Sequence, residues 1–149
     1  MRAPMGARMT INEAFHAWAV QFEWLSDVET MELPEWQQPI AFIYQFVLDV
    51  QGDGAGSLFY NHTENIENVA KAFDVMDEPD YANRIRRIDS ILEPLVADGP
   101  PDMQSILVNA CMEGPATDDV LALEAAVNTR LIDIYAKLEA TAKANGWTS

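Results

Sequence analysis

The sequence has very little of the side-chain chemistry that builds catalytic and metal centres. Its 149 residues include one cysteine and two histidines. A single cysteine excludes an intramolecular disulfide, and the histidines do not form the closely spaced pair that a zinc site uses. We expect Cys111 to be a small buried apolar residue, because no histidine lies near it in the sequence to activate its thiol.

Long apolar runs are also missing. No stretch approaches the roughly 20 apolar residues that a membrane-spanning helix needs. The N-terminus carries two arginines, but Glu13 and His16 interrupt the apolar core that a signal peptide would require. We therefore expect a flexible tail over residues 1–9, a single helical domain over residues 10–146, and a cytoplasmic location.

Basic residues are scarce and unevenly placed. The chain has 24 Asp and Glu against 9 Lys and Arg, a formal net charge of −15. No Lys or Arg occurs between Arg8 and Lys71, or between Arg87 and Arg130. Such a surface repels phosphates, so direct binding to nucleic acid or to an anionic membrane is disfavoured. The natural partner is a basic protein, such as a DNA-binding protein or a toxin; the alternative is that the acidity only keeps the protein soluble.

What the sequence does contain is a helical pattern of apolar residues. They recur every three or four positions along most of the chain, and no segment alternates as paired strands do. We predict an all-α, single compact domain of about six to seven helices with a long C-terminal helix. The predicted helices cover residues 10–30, the segment from Pro39 to the glycines at 52–56, a short aromatic stretch ending at Asn61, a segment capped by Asn61 or Thr63, one stopped by Pro94 and Asp98, residues 102–112, and the segment from Thr117 to Gly146.

Four of these helices carry predictions for single residues. Thr10 and Glu13 are spaced as a capping box that opens the first helix. Trp24 and Val28 widen its apolar stripe, which runs through Ile11, Phe15, Trp18, Phe22 and Leu25. The next stripe comprises Ile66, Val69, Phe73 and Met76, and the one after it Tyr81, Ile85, Ile88, Leu92 and Leu95. The stripe of the last helix comprises Val120, Leu123, Val127, Leu131, Ile134 and Leu138.

The stretch from Pro39 to Asn61 resembles the hallmark of a bacterial family of small acidic helical domains of unknown function, one of which is described as a DNA mimic. The family pattern has an acid ending an apolar helix, a turn rich in Asn and Gly, an aromatic pair and a final Asn. Ala55 stands where the pattern has Phe, and Ser57 where it has Gln. With its flanking helices the resemblance covers roughly residues 33–95. The corresponding residues here are Asp49, Gly52, Gly54, Phe59, Tyr60 and Asn61.

The resemblance implies a non-enzymatic interaction module whose carboxylates imitate the phosphates of DNA. The candidate partner-binding patch is Asp27, Glu29, Glu32, Glu35, Glu64 and Glu67. One alternative is an immunity-type inhibitor of a basic toxin or nuclease. Another is an enzyme or small-ligand binder with a site at the glycine turn, formed by Asp49, Asp53, Tyr60 and Asn61. An apolar pocket with convergent polar groups there would favour this second alternative, and a continuous carboxylate face without one would favour the module.

The sequence indicates no catalytic residue, cofactor or metal. Asp49, Gln51 and Asp53 follow the spacing of an EF-hand loop, but Tyr60 stands where a bidentate Glu should close the calcium shell. We therefore interpret this segment as a structural turn. Heptad-like stripes in the first and last helices leave a homodimer open.

Overall fold

The computed structural model of this chain describes residues 12–148. Within this range the chain forms nine α-helices and no strand, so the all-α prediction is confirmed. None of these helices has the length and apolarity needed to cross a bilayer. Single turns of 3-10 helix lie at Val20–Phe22, Glu35–Gln37 and Thr63–Asn65. The helices are α1 Glu13–Ala19, α2 Asp27–Met31, α3 Gln38–Asp53, α4 Ser57–Tyr60, α5 Ile66–Val75, α6 Pro79–Val96, α7 Met103–Glu113, α8 Thr117–Thr129 and α9 Leu131–Ala144.

The central element is α3, which contacts α2, α4, α5, α8 and α9. Pro39 lies in its first turn, where a missing backbone N–H costs nothing. The helix continues through Gly52 and ends at Gly54. Burial on consecutive positions near its start shows that neighbours surround it on nearly every side. Its buried residues are Ile40, Ala41, Phe42, Ile43, Tyr44, Phe46, Val47 and Val50.

The N-terminal region differs from the single helix predicted over residues 10–30. Asn12 begins α1, because its Oδ1 accepts hydrogen bonds from the backbone N–H of Ala14 at 2.8 Å and of Phe15 at 3.3 Å. The predicted cap Thr10, the stripe residue Ile11 and the tail over residues 1–9 lie outside the described residues.

A capping box does occur, but it opens α2. Ser26 Oγ accepts from Glu29 N at 3.1 Å, and Glu29 Oε1 accepts from Ser26 N at 2.9 Å. The capping box therefore starts a new helix, α2, within the single helix that was predicted over residues 10–30, and the chain changes direction there. As a result Trp24 and Val28 are 87% and 62% exposed, so their predicted place in the core stripe is wrong.

The helices α5 and α6 pack against each other, and Phe73 stacks on Tyr81 at a ring-centroid distance of 4.8 Å. The predicted stripe of α6 is buried from Tyr81 to Leu92, but Leu95 is 42% exposed. Pro94 does not stop the helix, which continues to Val96. The proline costs α6 one backbone hydrogen bond only two residues before its end, so the last turn survives.

The predicted long C-terminal helix is present as two consecutive helices, α8 and α9. The break is at Arg130, whose backbone leaves the helical region with φ −113° and ψ 26°. The predicted stripe is nevertheless directed into the core. Its buried members are Val120, Leu123, Val127, Ile134 and Leu138.

Candidate functional site

The turn between α3 and α4 contains the residues that resemble the family pattern. Gly54 has φ +90° and ψ 164°, a conformation that essentially only glycine adopts. Its N–H donates to Val50 O at 3.0 Å and closes α3. The next N–H, that of Ala55, donates to Glu124 Oε1 at 3.0 Å, which ties the turn to α8. Gly52 has a different role, because it lies in the last turn of α3 with open space around it.

A short network of polar side chains follows the turn. Ser57 is fully buried, and its hydroxyl accepts a hydrogen bond from Asn61 Nδ2 at 3.0 Å. The same hydroxyl interacts with Asp49 and acts to lower the pKa of that carboxyl. Asn61 Oδ1 in turn accepts from Gln104 Nε2 of α7 at 2.8 Å. Asp49 and Asn61 therefore connect α3, α4 and α7, while the buried ring of Phe59 joins the core.

We expect Glu124→Ala to loosen this turn. The substitution leaves the N–H of the fully buried Ala55 without its acceptor, the carboxylate of the partly exposed Glu124. A hydrogen bond to a charged group contributes about 1.5–3 kcal/mol, and partial exposure favours the lower end of that range. Urea unfolding should show a loss of about 1.5 kcal/mol, whereas Glu113→Ala, at an exposed residue ending α7, should change stability little. Equal losses in the two variants would show that Glu124 does not hold the turn.

A cavity of about 330 Å³ lies beside the same turn. It is bounded by the segment 23–25, by α3 and α4, and by residues 62–69. Asp49 and Asp53 line it as predicted for a site at the turn, but Tyr60 and Asn61 do not. Its wall is partly apolar, through Leu25, Phe42, Phe46, Leu58 and Val69, and its polar lining residues are Glu23, Gln45, Asp49, Asp53, His62 and Asn65.

The electrostatics of this cavity are dominated by carboxylates. His62 Nε2 lies 3.6 Å from Asp49 Oδ2. Burial raises the pKa of Asp49, and the Ser57 hydrogen bond and the nearby His62 partly offset that rise. No Lys or Arg is among the described residues that line the cavity, and neither Glu23 nor Asp53 forms an ion pair with a described residue.

The six acids of the predicted patch do not all remain available. Glu29 is occupied by the capping box, and the hydrogen bonds from Ser26 lower the pKa of its carboxyl. Glu67 accepts two hydrogen bonds from Arg86, at 2.9 and 3.3 Å, so its charge is neutralised on the side of α5 that faces α6. The acids without an ion pair to a described residue are Asp27 in α2, Glu32 at its end, and Glu35 and Glu64 in two 3-10 turns.

Ion pairs are distributed unevenly over the described residues. Every Arg or Lys that forms one lies at or beyond residue 84, and every acid that it contacts lies at or beyond residue 67. Between residues 12 and 65 the one contact of this kind is that of His62 with Asp49. No acid of residues 12–65 is therefore paired with a Lys or Arg among the described residues.

The other two residues with reactive side chains, Cys111 and His16, do not line the cavity. Cys111 is buried, as predicted, and burial raises the pKa of its thiol to about 11. His16 packs edge-on against Tyr135 with ring centroids 4.5 Å apart; burial lowers the pKa of its imidazole although Glu139 acts to raise it. Among residues 12–148 no three His, Cys, Asp or Glu side chains are placed to hold a metal ion.

The family model described as DMP19-like protein matches residues 31–145. The chain belongs to the DMP19-like family. The DMP19-like match begins at the end of α2 and runs through α9, well beyond the residues 33–95 on which the resemblance rested. No curated protein and no solved structure matches the chain.

The DMP19-like match includes the glycine turn but leaves out one wall of the cavity. Glu23 and Trp24 precede the matched residues. Sequence reasoning missed both of them, together with His62, as site residues. Helical periodicity assigned Trp24 to the core, and only the Ser26 and Glu29 capping signal could have indicated a break beside it.

Proposed function

We propose that this protein is a non-enzymatic acidic interaction protein that acts as a DNA mimic and occupies the basic surface of a DNA-binding protein. The observation that carries the proposal is the uneven pairing of charge. The acids of residues 13–64 have no Lys or Arg partner among the described residues, whereas most basic residues of the second half are already paired. A basic surface can neutralise these free carboxylates without breaking an internal ion pair.

Hydrogen bonds to α3 hold the backbone of the segment that carries Asp27 and Glu32, and a phosphate-like array requires such fixed positions. Gln45 Nε2 donates to Phe22 O at 2.8 Å and to Thr30 Oγ1 at 3.1 Å. Gln38 Nε2 donates to the carbonyls of Met31 and Leu33 at 3.0 and 2.9 Å. Two amides of α3 thus hold the whole segment 22–33. Carboxylates on such a segment lose little freedom on binding, which favours affinity.

Reversal of three free acids tests this proposal. We expect Glu32→Lys, Glu35→Lys and Glu64→Lys together to weaken binding of the partner about 100-fold, because opposed charges across an interface contribute well over 1 kcal/mol each. The protein serves as bait in lysate of the source cell, with elution in salt steps and identification by mass spectrometry. A basic DNA-binding protein should elute from the wild-type bait, and duplex DNA should compete for it.

A matched control separates a specific surface from general acidity. Glu93→Lys, Asp98→Lys and Glu113→Lys change the net charge by the same amount, at exposed residues of α6, the loop after it and α7. This control should retain the partner. If the two triple variants lose it equally, or if DNA does not compete, the protein is not a DNA mimic and its acidity has no specific site.

The identity of the retained protein decides between the proposal and its nearest alternative. A nuclease or toxin whose activity the protein blocks would support an immunity-type inhibitor. The second candidate, a small-ligand binder, is favoured by one observation, namely the partly apolar cavity with convergent polar groups at the glycine turn.

A further inference from the structure

We propose that the cavity beside the glycine turn binds the guanidinium group of an arginine side chain presented by the basic partner. The inference rests on the proposed function, since it names the group that the partner would insert. It also gives the cavity a role within the interaction surface, because its lining residues Trp24 and Leu25 come just before α2, which carries the unpaired Asp27.

The shape of the cavity suits a long side chain with a charged end. Its volume of about 330 Å³ is near the lower limit of the roughly 300–1,000 Å³ that ligand pockets span. Leu25, Phe42 and Leu58 provide an apolar wall for the methylene stem, which arginine buries readily while its charged end stays with polar groups.

Three polar residues of the cavity lack the donors that a guanidinium supplies. Glu23 and Asp53 have no cationic partner among the described residues. Asn65 also lines the cavity, and its Oδ1 is buried without any hydrogen-bond partner. A buried acceptor of this kind normally has a partner in the functional state. The five N–H groups of a guanidinium, fixed in a planar fork, can serve several such acceptors at once.

Trp24 supplies the contact that favours arginine over a compact ammonium group. Its side chain is part of the cavity lining and is 87% exposed. A guanidinium stacks on an indole face while its edge bonds to carboxylates, which an ammonium cannot reproduce. Exposed Trp is also the residue type that most often anchors a protein interface.

Titration of the labelled protein by NMR tests the inference. The probe is the peptide acetyl-Ala-Arg-Ala-amide, and its matched control carries citrulline, which keeps the shape of arginine but not its charge. We expect saturable shifts of the Trp24 indole N–H signal, assigned by its loss in Trp24→Phe, with the arginine peptide only.

The double variant Glu23→Gln with Asp53→Asn should weaken binding of the arginine peptide at least ~10-fold. Trp24→Ala, followed at the backbone signals of the cavity residues, should weaken it about threefold. Glu93→Gln with Glu113→Gln should bind like the wild type.

The same variants, used as bait, test whether the arginine belongs to a protein. Glu23→Gln with Asp53→Asn should reduce retention of the basic partner. The inference is overturned if the citrulline peptide binds as well as the arginine peptide, if the two double variants bind alike, or if the cavity variant retains the partner fully. Any of these results leaves the proposed function standing, because that depends on Glu32, Glu35 and Glu64.

Discussion

Gly54→Ala should lower the free energy of unfolding by about 3 kcal/mol, and the melting temperature by roughly 10 °C. Its φ of +90° disfavours any residue with a Cβ atom. That Cβ would also lie 2.9 Å from Glu124 Oε1, the atom that accepts from the N–H of Ala55. The carboxylate can move away, but only by giving up this bond. Urea unfolding followed by circular dichroism measures the loss.

Gly52→Ala is the matched control in the same turn. Gly52 is helical, and a Cβ there meets nothing within 4 Å. Alanine is the better helix former, so this variant should be more stable than the wild type by about 0.5 kcal/mol. The double variant Gly54→Ala with Glu124→Ala should lose less than the sum of the single losses, because each single substitution already breaks the hydrogen bond between Ala55 and Glu124. If the two losses add exactly, the whole cost of Gly54→Ala comes from the strained backbone at residue 54. Equal effects of the two glycine substitutions would contradict the structure of the turn.

The family pattern predicted the local structure of this turn but not its contacts with other side chains. The pattern at residues 49–61 identified the end of α3, the glycine turn and the short aromatic helix, because each depends on local backbone chemistry. It did not show that Ser57 joins Asp49 to Asn61, or that Glu124 accepts from the turn. Ala55 and Glu124 are 69 positions apart, and the Ser57 contacts depend on how α4 folds back on α3, so spacing alone does not reveal either.

Prediction of the helices succeeded where one signal dominated. In α5 the stripe Ile66, Val69, Phe73 and Met76 is buried as predicted, since no internal cap or break competes with its periodicity. The prediction failed where two signals conflicted. Residues 20–28 kept a helical apolar spacing, but the capping box at Ser26 was stronger and started a new helix. At Pro94 the expected stop signal was the weaker one. The helix α6 continues past this proline to Val96, because its packing outweighs the cost of one missing hydrogen bond.

The candidate site was partly predictable for the same reason. Composition located the segment without Lys or Arg, and the acids of this segment from Glu13 to Glu64 have no Lys or Arg partner among the described residues. The fate of single acids depended on the tertiary structure. Glu67 is bound by Arg86, nineteen positions away, and Glu29 is used to cap α2. Neither contact follows from net charge, so reversal of either residue would test stability together with binding.

Phe22→Ala should be among the most destabilising substitutions, with a loss of about 3–5 kcal/mol. Phe22 is fully buried, and its ring packs edge-on against Trp18 at a centroid distance of 5.1 Å. Its removal leaves a cavity where the N-terminal segment meets α3, next to the carbonyl that accepts from Gln45. We expect a cooperative urea transition at a much lower midpoint, with an unchanged helical signal before it.

Trp24→Ala, two residues away, should change stability by less than about 0.5 kcal/mol, because a side chain that is 87% exposed loses little contact on truncation. The apolar spacing of the sequence assigns both aromatic residues to one buried stripe and would predict large losses for both. A loss above about 2 kcal/mol for Trp24→Ala would support the continuous first helix that the spacing predicts. It would contradict the exposed position of Trp24 at the cavity rim. The expected contrast instead leaves Trp24 free to act in recognition, since an indole that is 87% exposed contributes little to the stability of the fold.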